Sequence, residues 1–288
     1  MSQLPMVSEN AEYWLHARDI DSGRCTGHRS GEPVVIGSIF KILLVLEYAR
    51  QVAAGALDPA ERVLLGPDDR LGGWGTGGCA DDVELSLRDL AYFTMSVSDN
   101  TAADALMRRV GPDLVPLLAD ELGLTRTRVT GGPRDQLSSM FADVGAADDA
   151  AFARIFPALT DDQVRRLRIY DPGQTTSSTP EEITRLLRMI WRDTAGPAGA
   201  CAAVRALMAR QMFWTRLAAA FPAEVRVSGK TGTLPGLHME AGVAEYPDGG
   251  RYALAVFVRT RNLATTRLDV DMMLGRAAAD AVRRLRDE

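Results

Sequence analysis

The chain has 288 residues, of which 46% are hydrophobic and 25% charged, and its formal net charge is −5. This composition is that of a globular protein with enough apolar material for a large core, and it excludes a disordered or fibrous chain. A mildly acidic chain without a Lys/Arg run has no long-range attraction for nucleic acid or anionic membranes, so we expect neither as a partner.

The N-terminal residues MSQLPMVSENAEYWLHARD have neither the basic start nor the apolar stretch of about 7–15 residues that a secretory signal requires. We therefore expect a cytoplasmic monomer that acts on a small molecule, or a secreted protein if a leader has been removed. The cysteines at 25, 79 and 201 have neither disulfide-framework nor zinc-site spacing, and the three histidines are scattered. We expect no metal and no cofactor.

The first predicted elements are a hairpin and a long helix. Residues 12–18 have the apolar and aromatic content of a strand, 19–23 have turn chemistry, and a weaker strand runs towards Val35. From Ser38 the chain is apolar on nearly all sides until Gly55. This pattern predicts a buried helix that ends at a glycine.

The middle of the chain is predicted to be helical after a glycine-rich loop. That loop, DDRLGGWGTGGCADD, is typical of a flexible surface turn, and it lacks the Lys-Ser/Thr that a phosphate-binding P-loop requires. Thr179-Pro180-Glu181-Glu182 is a strong helix-start signal. The predicted helices span 86–95, 100–109, 112–123, 179–193 and 198–211.

The end of the chain returns to strands. EVRVSGKTG, HMEAGVAEY and RYALAVFVRT are strand-like, the last two are joined by a Pro-Asp-Gly-Gly turn, and an amphipathic helix follows. We expect the first and last strands to share one antiparallel sheet. The prediction is an α+β fold with a sheet domain from 1–36 and 212–288, flanked by helices, and an all-helical domain from 37–211.

Ser38 and Lys41 stand one helical turn apart at the start of the predicted long helix. At this spacing the two side chains share a helix face. A desolvated lysine can lose its proton near neutral pH and activate a serine nucleophile. Alone, the S-x-x-K pattern is weak evidence, because a helix cap followed by a surface lysine has the same sequence.

Two further motifs change this assessment. Ser98-Asp99-Asn100 precedes a predicted helix, and Lys230-Thr231-Gly232-Thr233 ends a predicted strand. Each has a plain structural explanation, a helix cap for the first and a strand end for the second. Together S-x-x-K, S-D-N and K-T-G form the signature of class A β-lactamases and penicillin-binding proteins, and here they occur in the expected order.

The chain resembles a class A β-lactamase along nearly all its length, from WLHARDIDSGRCTGHRSGEPVVIGSIFK to KTGTLPG and the strands and helix that follow. The resemblance implies a β-lactamase/transpeptidase-like fold with the active site between the two domains. It implies that Ser38 attacks the substrate carbonyl, with Lys41 as a candidate base. It also implies that Ser98 relays a proton to the leaving nitrogen, with Lys230 beside it.

The resemblance implies a substrate-binding set as well. Asn100 would contact the substrate amide, and Lys230 with Thr231 and the adjoining Gly232 would hold its carboxylate. The backbone N–H groups of Ser38 and Thr233 would form the oxyanion hole. Trp74 falls where the family has an aromatic residue at the pocket mouth, although a packing role is about equally expected for it.

The chain departs from the family where a glutamate in an E-P-x-x-N pattern would support deacylation. The corresponding positions are Gly132 and Gln136, and neither side chain can replace a base. The loop near 131–178 is enlarged, by roughly a small helical hairpin over about 137–170. Its aspartates at 143, 148, 149, 161 and 162 could supply a base, but helix capping or solvation is the commoner role for such residues.

A second departure follows K-T-G, where many family members place an arginine that binds the β-lactam carboxylate. His238, Met239 and Glu240 stand there instead. The sequence therefore predicts a weaker carboxylate anchor and an apolar or uncharged acyl group beside Met239.

Three functional hypotheses remain at this point. The first is a β-lactamase-like serine hydrolase that forms an acyl-enzyme on Ser38 with a β-lactam or a related amide or ester. The second is an esterase, amidase or acyltransferase of small-molecule metabolism with little β-lactamase turnover. The third is a non-hydrolytic β-lactam-binding protein.

Overall fold

The computed structural model describes residues 11–287. The strands are β1 (Ala11–Asp19), β2 (Cys25–His28), β3 (Val34–Val35), β4 (Arg62–Leu65), β5 (Val83–Ser86), β6 (Ser177–Ser178), β7 (Arg226–Leu234), β8 (Leu237–Glu245) and β9 (Arg251–Thr260). The helices are α1 (Lys41–Ala53), α2 (Leu87–Ser96), α3 (Asn100–Val110), α4 (Leu114–Glu121), α5 (Pro133–Val144), α6 (Asp149–Ile155), α7 (Asp161–Arg165), α8 (Pro180–Trp191), α9 (Ala198–Met208), α10 (Leu217–Ala220) and α11 (Leu268–Asp287). Within this span no helix combines the length and the apolar character needed to cross a membrane.

The central sheet joins the two ends of the chain. Its strand order is β2-β1-β9-β8-β7, and neighbouring strands are antiparallel. The predicted α+β fold and the shared sheet are therefore confirmed. Because β7 is an edge strand, the K-T-G motif that it carries has one side free of a partner strand, and this side can face a ligand.

The long apolar helix α1 begins later than the sequence predicts. A 3₁₀ turn at Gly37–Phe40 precedes it, so Ser38 lies in this tighter turn and Lys41 is the first α-helical residue. Gly55 follows the helix with a φ of +74°, as expected for a glycine stop. The side chains from Lys41 to Leu46 are buried, and this burial fixes the helix beneath the site.

Helix α8 contacts both of the predicted domains. It falls within 37–211, yet it packs against the sheet, where Thr184 shares a 2.6 Å hydrogen bond with His16 of β1. Arg188 Nε also donates to the Ile20 carbonyl at 2.8 Å. The apolar face of α8 belongs to one hydrophobic cluster that runs from β8 and β9 through α1 into α2, α3 and α4. The helical and sheet parts thus share a core.

The enlarged loop folds into α5, α6 and α7, which is more than the helical hairpin expected from its length. Its last residues form β6, which pairs with β3. Ile169 belongs to a small apolar cluster packed against Leu234 and Leu263, and the Tyr170 hydroxyl donates to the Pro235 carbonyl at 3.0 Å. The insertion is therefore attached to the turn that follows K-T-G.

Candidate active site

A cleft of about 500 Å³ opens beside the edge strand β7. Residues from all three motifs line it: Ser38, Ser98, Asn100, Thr231, Gly232 and Thr233. Its volume is in the range of small-molecule sites in proteins. The fold therefore brings together hydroxyl and amide groups that are far apart in sequence.

Lys41 links the first motif to the second. Its side chain is fully buried, and Nζ donates to the Ser98 carbonyl and to Asn100 Oδ1, both at 2.7 Å, with Ser98 Oγ 3.4 Å away. Burial lowers the pKa of Lys41 to about 7, although the Asp99 carboxylate acts in the opposite direction. The amine is thus held in one place and can exist without its proton near neutral pH.

The S-D-N segment has an unusual backbone conformation. Ser98 has a φ of +60°, a region that few residues other than glycine adopt. Asp99 is buried and caps α3, where Oδ1 accepts from Ala102 N at 3.0 Å. The cap and the Lys41 hydrogen bond to the Ser98 carbonyl hold this conformation, which places the Ser98 side chain on the cleft wall.

Lys230 lies behind the cleft surface. It is fully buried, and its Nζ donates to the Thr231 carbonyl at 2.8 Å. Burial lowers the pKa of Lys230 well below its usual range, and the nearby charge of Lys41 lowers it further, while Glu240 acts in the opposite direction. Burial and the positive charge of Lys41 thus both disfavour the charged form of Lys230.

The free edge of β7 is only partly open. The Thr231 N–H donates to Gln211 Oε1 at 2.7 Å, so Gln211 occupies the edge at this position. Backbone groups of a strand alternate in direction with a period of two residues. The Thr233 N–H therefore points off the same edge, and Thr233 lines the cleft.

Gln211 is oriented in turn by a buried carboxyl group. Its Nε2 donates to Glu240 Oε1 at 2.6 Å, and the Leu217 N–H donates to Glu240 Oε2 at 2.8 Å. Burial raises the pKa of Glu240 to about 7, against the lowering effect of the Leu217 N–H. Neither Gln211 nor Glu240 belongs to a motif, so the sequence alone indicates no function for them.

Arg216 places a positive charge at the cleft that the sequence did not indicate. It lines the cleft, and its guanidinium donates to the Gly232 and Met239 carbonyls at 2.8 and 2.7 Å and to Thr233 Oγ1 at 2.8 Å. Because Thr233 Oγ1 accepts from the arginine, its own proton is free for a ligand. The arginine was missed because it precedes K-T-G, in a segment with no recognisable pattern.

Asp271, at the start of α11, pairs with this arginine. Its Oδ1 accepts from Arg216 Nε at 2.7 Å and lies 3.0 Å from His238 Nδ1, while Oδ2 accepts from Thr215 Oγ1 at 3.0 Å. Burial tends to raise the pKa of Asp271, but His238 and Arg216 outweigh this effect and hold it below its usual range. The carboxylate therefore contacts three neighbouring side chains and keeps the guanidinium in place.

Met239 does not lie on the cleft wall, which contradicts its predicted contact with the acyl group. It is fully buried and packs beneath Gly232, where a Cβ atom would lie only 2.7 Å from Met239 Cγ. The reason is strand alternation: Met239 pairs with Gly232 and faces the core. The glycine of K-T-G is needed for this close approach.

The glycine-rich loop is a fixed wall of the cleft, whereas the sequence predicted a flexible turn. Leu71 N donates to Thr101 Oγ1 at 2.9 Å, and Thr76 N and Oγ1 donate to Asp99 Oδ2 at 2.6 and 2.8 Å. These contacts tie both sides of Trp74 to the start of α3. Trp74 lines the cleft and is 68% exposed.

Gly75→Ala should show how tightly this loop is held. Gly75 has a φ of +82°, and an added Cβ would lie 2.9 Å from Asp99 Cγ. We expect a loss of about 3 kcal/mol in the free energy of unfolding, from backbone strain and from the clash. Gly55→Ala is a matched control, because Gly55 has a φ of +74° but open space around it. It should cost only about 1–2 kcal/mol. If urea denaturation gave the same loss in the free energy of unfolding for both variants, the loop would be shown to move away from the added Cβ without cost.

Comparison with known proteins identifies the family. A family model described as "Beta-lactamase enzyme family" matches residues 3–285. The chain belongs to the β-lactamase enzyme family. A curated relative, "Beta-lactamase regulatory protein BlaB" of Streptomyces cacaoi, is 28% identical over 286 residues, which cover 94% of this chain and 90% of that protein.

Solved structures confirm the β-lactamase/transpeptidase-like fold. A single-site mutant of the class A β-lactamase of the last common ancestor of Gram-negative bacteria superposes with a TM-score of 0.76 at 20% identity, covering 96% of this chain and 94% of that chain. The protein titled PBP-A has a TM-score of 0.75 at 18% identity, covering 96% and 92% of the two chains. At these identities the likeness shows the fold alone.

Gly132, at the position predicted for the family's glutamate, faces α3. A Cβ atom there would lie 3.2 Å from Met107 Sδ and 3.5 Å from Asp104 Oδ1. Asp104 is itself paired with Arg108 at 3.0 Å and with Arg134 at 3.3 Å. No other carboxyl group takes the place of the glutamate at the cleft: among residues 11–287, Asp271 is the only acidic residue that lines it.

The aspartates of the insertion have structural contacts. Asp148 caps α6 through Ala151 N at 2.7 Å, Asp143 accepts from Arg168 N at 2.7 Å, and Asp162 pairs with Arg165 at 3.3 Å. None of the five lines the cleft. The sequence left two roles open for these aspartates, a catalytic base or a helix cap and solvated surface group. The contacts agree with the second role.

Proposed function

We propose that the chain is a β-lactamase-like serine hydrolase in which Ser38 forms an acyl-enzyme with a β-lactam or a related amide or ester. The observation that carries the proposal is the position of Lys41. Its buried amine contacts Ser98 and Asn100 in a cleft that Ser38 also lines. Such an arrangement of an amine with a lowered pKa beside a serine is what nucleophilic catalysis requires.

In the proposed acylation, the neutral Lys41 amine takes the proton of Ser38 Oγ as this oxygen attacks the carbonyl carbon. The developing oxyanion accepts hydrogen bonds from the N–H groups of Ser38 and Thr233, each typically worth about 3 kcal/mol. When the C–N or C–O bond breaks, the leaving atom takes the Ser98 hydroxyl proton. The Lys41 ammonium, 3.4 Å from Ser98 Oγ, replaces that proton.

Substrate binding in this proposal uses the remaining groups of the cleft. Asn100 contacts the substrate amide, while Thr231, Thr233 and Arg216 bind a carboxylate on the leaving-group side. Lys230 lies beneath them, where its Nζ donates to the Thr231 carbonyl. The charge of Arg216 supports this assignment, although Asp271 neutralises part of it.

Resolution of the acyl-enzyme is proposed to be slow. The cleft has no carboxylate free to activate water among the described residues, because Asp271 is held by Arg216, Thr215 and His238. Hydrolysis would then depend on Lys41, or another nucleophile would take the acyl group, as in an esterase, amidase or acyltransferase. These alternatives share the acylation step.

A second candidate function is a non-hydrolytic β-lactam-binding protein. Gly132 at the glutamate position favours a long-lived adduct, and the curated relative from Streptomyces cacaoi carries the name of a regulatory protein. In this case acylation of Ser38 would be a signal rather than a step of turnover.

Intact-mass spectrometry over time tests the proposal. With a penicillin we expect a mass increase equal to that of the whole β-lactam, because the opened ring keeps its nitrogen attached, and with a cephalosporin the same increase less any leaving group expelled from C3′. Ser38→Ala should show no increase, whereas Ser22→Ala, at an exposed serine in the β1–β2 turn, should behave as wild type. An adduct that decays to opened product supports the hydrolase, and one that persists for hours supports the binding protein. The absence of any adduct with β-lactams and activated esters would refute both.

A further inference from the structure

Exposed apolar side chains are concentrated around the mouth of the cleft. In residues 11–287, eight large hydrophobic side chains are exposed. Trp74 and Leu268 line the cleft, Met212 and Trp214 flank the lining residue Phe213, and Met272 adjoins the lining residue Asp271. Two of the eight thus line the cleft, and three more are sequence neighbours of residues that line it.

Three apolar side chains line the cleft and form what we call the apolar rim: the exposed Trp74 and Leu268 and the half-buried Phe213. The rings of Trp74 and Phe213 meet edge to face, with centroids 5.8 Å apart and planes inclined at 61°. This contact joins the glycine-rich loop to the segment that precedes α10. Trp74 and Phe213 therefore form one apolar surface from two separate chain segments, and Leu268 adds a third apolar side chain to the cleft lining.

The apolar rim is held in place rather than collapsed into the core. The hydrogen bonds of Leu71 with Thr101 and of Thr76 with Asp99 fix the loop on both sides of Trp74. On the other side, Met212 N donates to the Ser96 carbonyl at 2.9 Å and fixes the chain next to Phe213. An exposed aromatic surface that is anchored on both sides loses less conformational freedom when it binds an apolar ligand.

The rest of the cleft lining is polar. Hydroxyl groups at Thr215, Thr231, Thr233, Thr265 and Thr266 line it, together with the Arg216–Asp271 pair. In the proposed reaction Thr231, Thr233 and Arg216 bind the leaving-group side of the substrate. Because the polar groups bind that side, we assign the apolar rim to the other part of the substrate, the substituent on its acyl group.

We propose that the apolar rim binds a large apolar substituent of the acyl group, so that the substrates are amides or esters of hydrophobic carboxylic acids with an aromatic ring or an alkyl chain. This inference rests on the proposed acylation of Ser38. It also replaces the sequence-based expectation of an apolar contact at Met239, which is buried beneath Gly232.

A series of 4-nitrophenyl esters from acetyl to octanoyl, with phenylacetyl added, tests this inference. The measured quantity is the second-order rate constant for nitrophenolate release by Ser38, after subtraction of the Ser38→Ala background and correction for the hydroxide reactivity of each ester. We expect it to rise about two- to fourfold for each methylene that the apolar rim buries, and then to level off.

Trp74→Ala and Phe213→Ala should flatten this dependence and lower the octanoyl-to-acetyl ratio by about tenfold or more. Leu117→Ala is a matched control, because Leu117 is 57% exposed but lines a different groove. Its ratio should equal that of wild type. A flat series with a reactive acetyl ester, or a slope unchanged in both rim variants, would overturn this inference and leave the acylation proposal intact. No release above background with any ester would also overturn this inference, and it would refute the acylation proposal only if β-lactams form no adduct on Ser38 either.

Discussion

We expect Lys41→Met to lower the rate constant for acylation of Ser38 by about 10²–10⁴-fold, the usual contribution of a general base. Methionine has a similar volume, so the packing at the start of α1 should survive. It has no amine to accept the serine proton, and it leaves the Ser98 carbonyl and Asn100 Oδ1 without their donor. Stopped-flow measurement of acylation by a chromogenic cephalosporin checks this.

The pH dependence of wild-type acylation should identify the base. Because burial lowers the pKa of Lys41 to about 7, the amine is protonated and inactive below this pH and free above it. We expect the acylation rate constant to rise between about pH 6 and 8 with a midpoint near 7, as the lowered pKa of a buried amine requires. Lys41→Arg should be inactive throughout, because arginine keeps its proton. A pH-independent rate, or an active arginine variant, would mean that another group takes the serine proton.

Arg216→Ala should lower acylation by carboxylate-bearing β-lactams about 10- to 100-fold, with a much smaller effect on neutral esters. The guanidinium supplies the positive charge on the cleft lining and keeps the Thr233 hydroxyl proton free for a ligand. Hydrogen bonds to charged groups contribute about 1.5–3 kcal/mol, which corresponds to this range. The ratio of the two acylation rate constants is the measurement.

This ratio separates substrate binding from general damage to the fold. Removing the guanidinium leaves the half-buried Asp271 without its ion pair, so Arg216→Ala should also unfold at lower urea concentration. Such damage lowers the rates with both substrates equally, whereas loss of a carboxylate anchor lowers only one. Arg216→Lys should not restore the ratio, because lysine lacks the planar fork that reaches Gly232, Met239 and Thr233 together. Equal losses with both substrates would exclude Arg216 as the anchor.

Much of the fold follows from local patterns. The apolar run after Ser38, the turn at 247–250 and the cap at Thr179 each give the correct element, with boundaries that differ from the structure by a few residues. These patterns depend on side-chain periodicity and turn chemistry, which act over short stretches of chain. The boundary of the helical domain is less well predicted, because α8 has an amphipathic pattern that does not reveal which surface it covers.

The candidate site likewise has residues that the sequence reveals and residues that only the tertiary structure reveals. The motifs at Ser38, Ser98 and Lys230 are visible in the sequence because each is a short run of residues. Arg216 and Asp271 are not, since they are 55 residues apart and meet only when α11 packs against α10 and the central sheet. The glycine-rich loop is similar: its glycines suggest flexibility, and only its hydrogen bonds to Asp99 and Thr101 make it rigid.

By itself, the amino-acid sequence determined the order of the helices and strands, the three motifs and the absence of a glutamate at Gly132, because these are properties of neighbouring residues. The tertiary structure alone decided that Lys41 contacts Ser98 and Asn100, that Arg216 rather than a residue after K-T-G lines the cleft, and that Met239 is buried. The physical reason is that burial, lowered pKa values and paired charges arise from contacts between distant segments, and these contacts exist only after the core has packed.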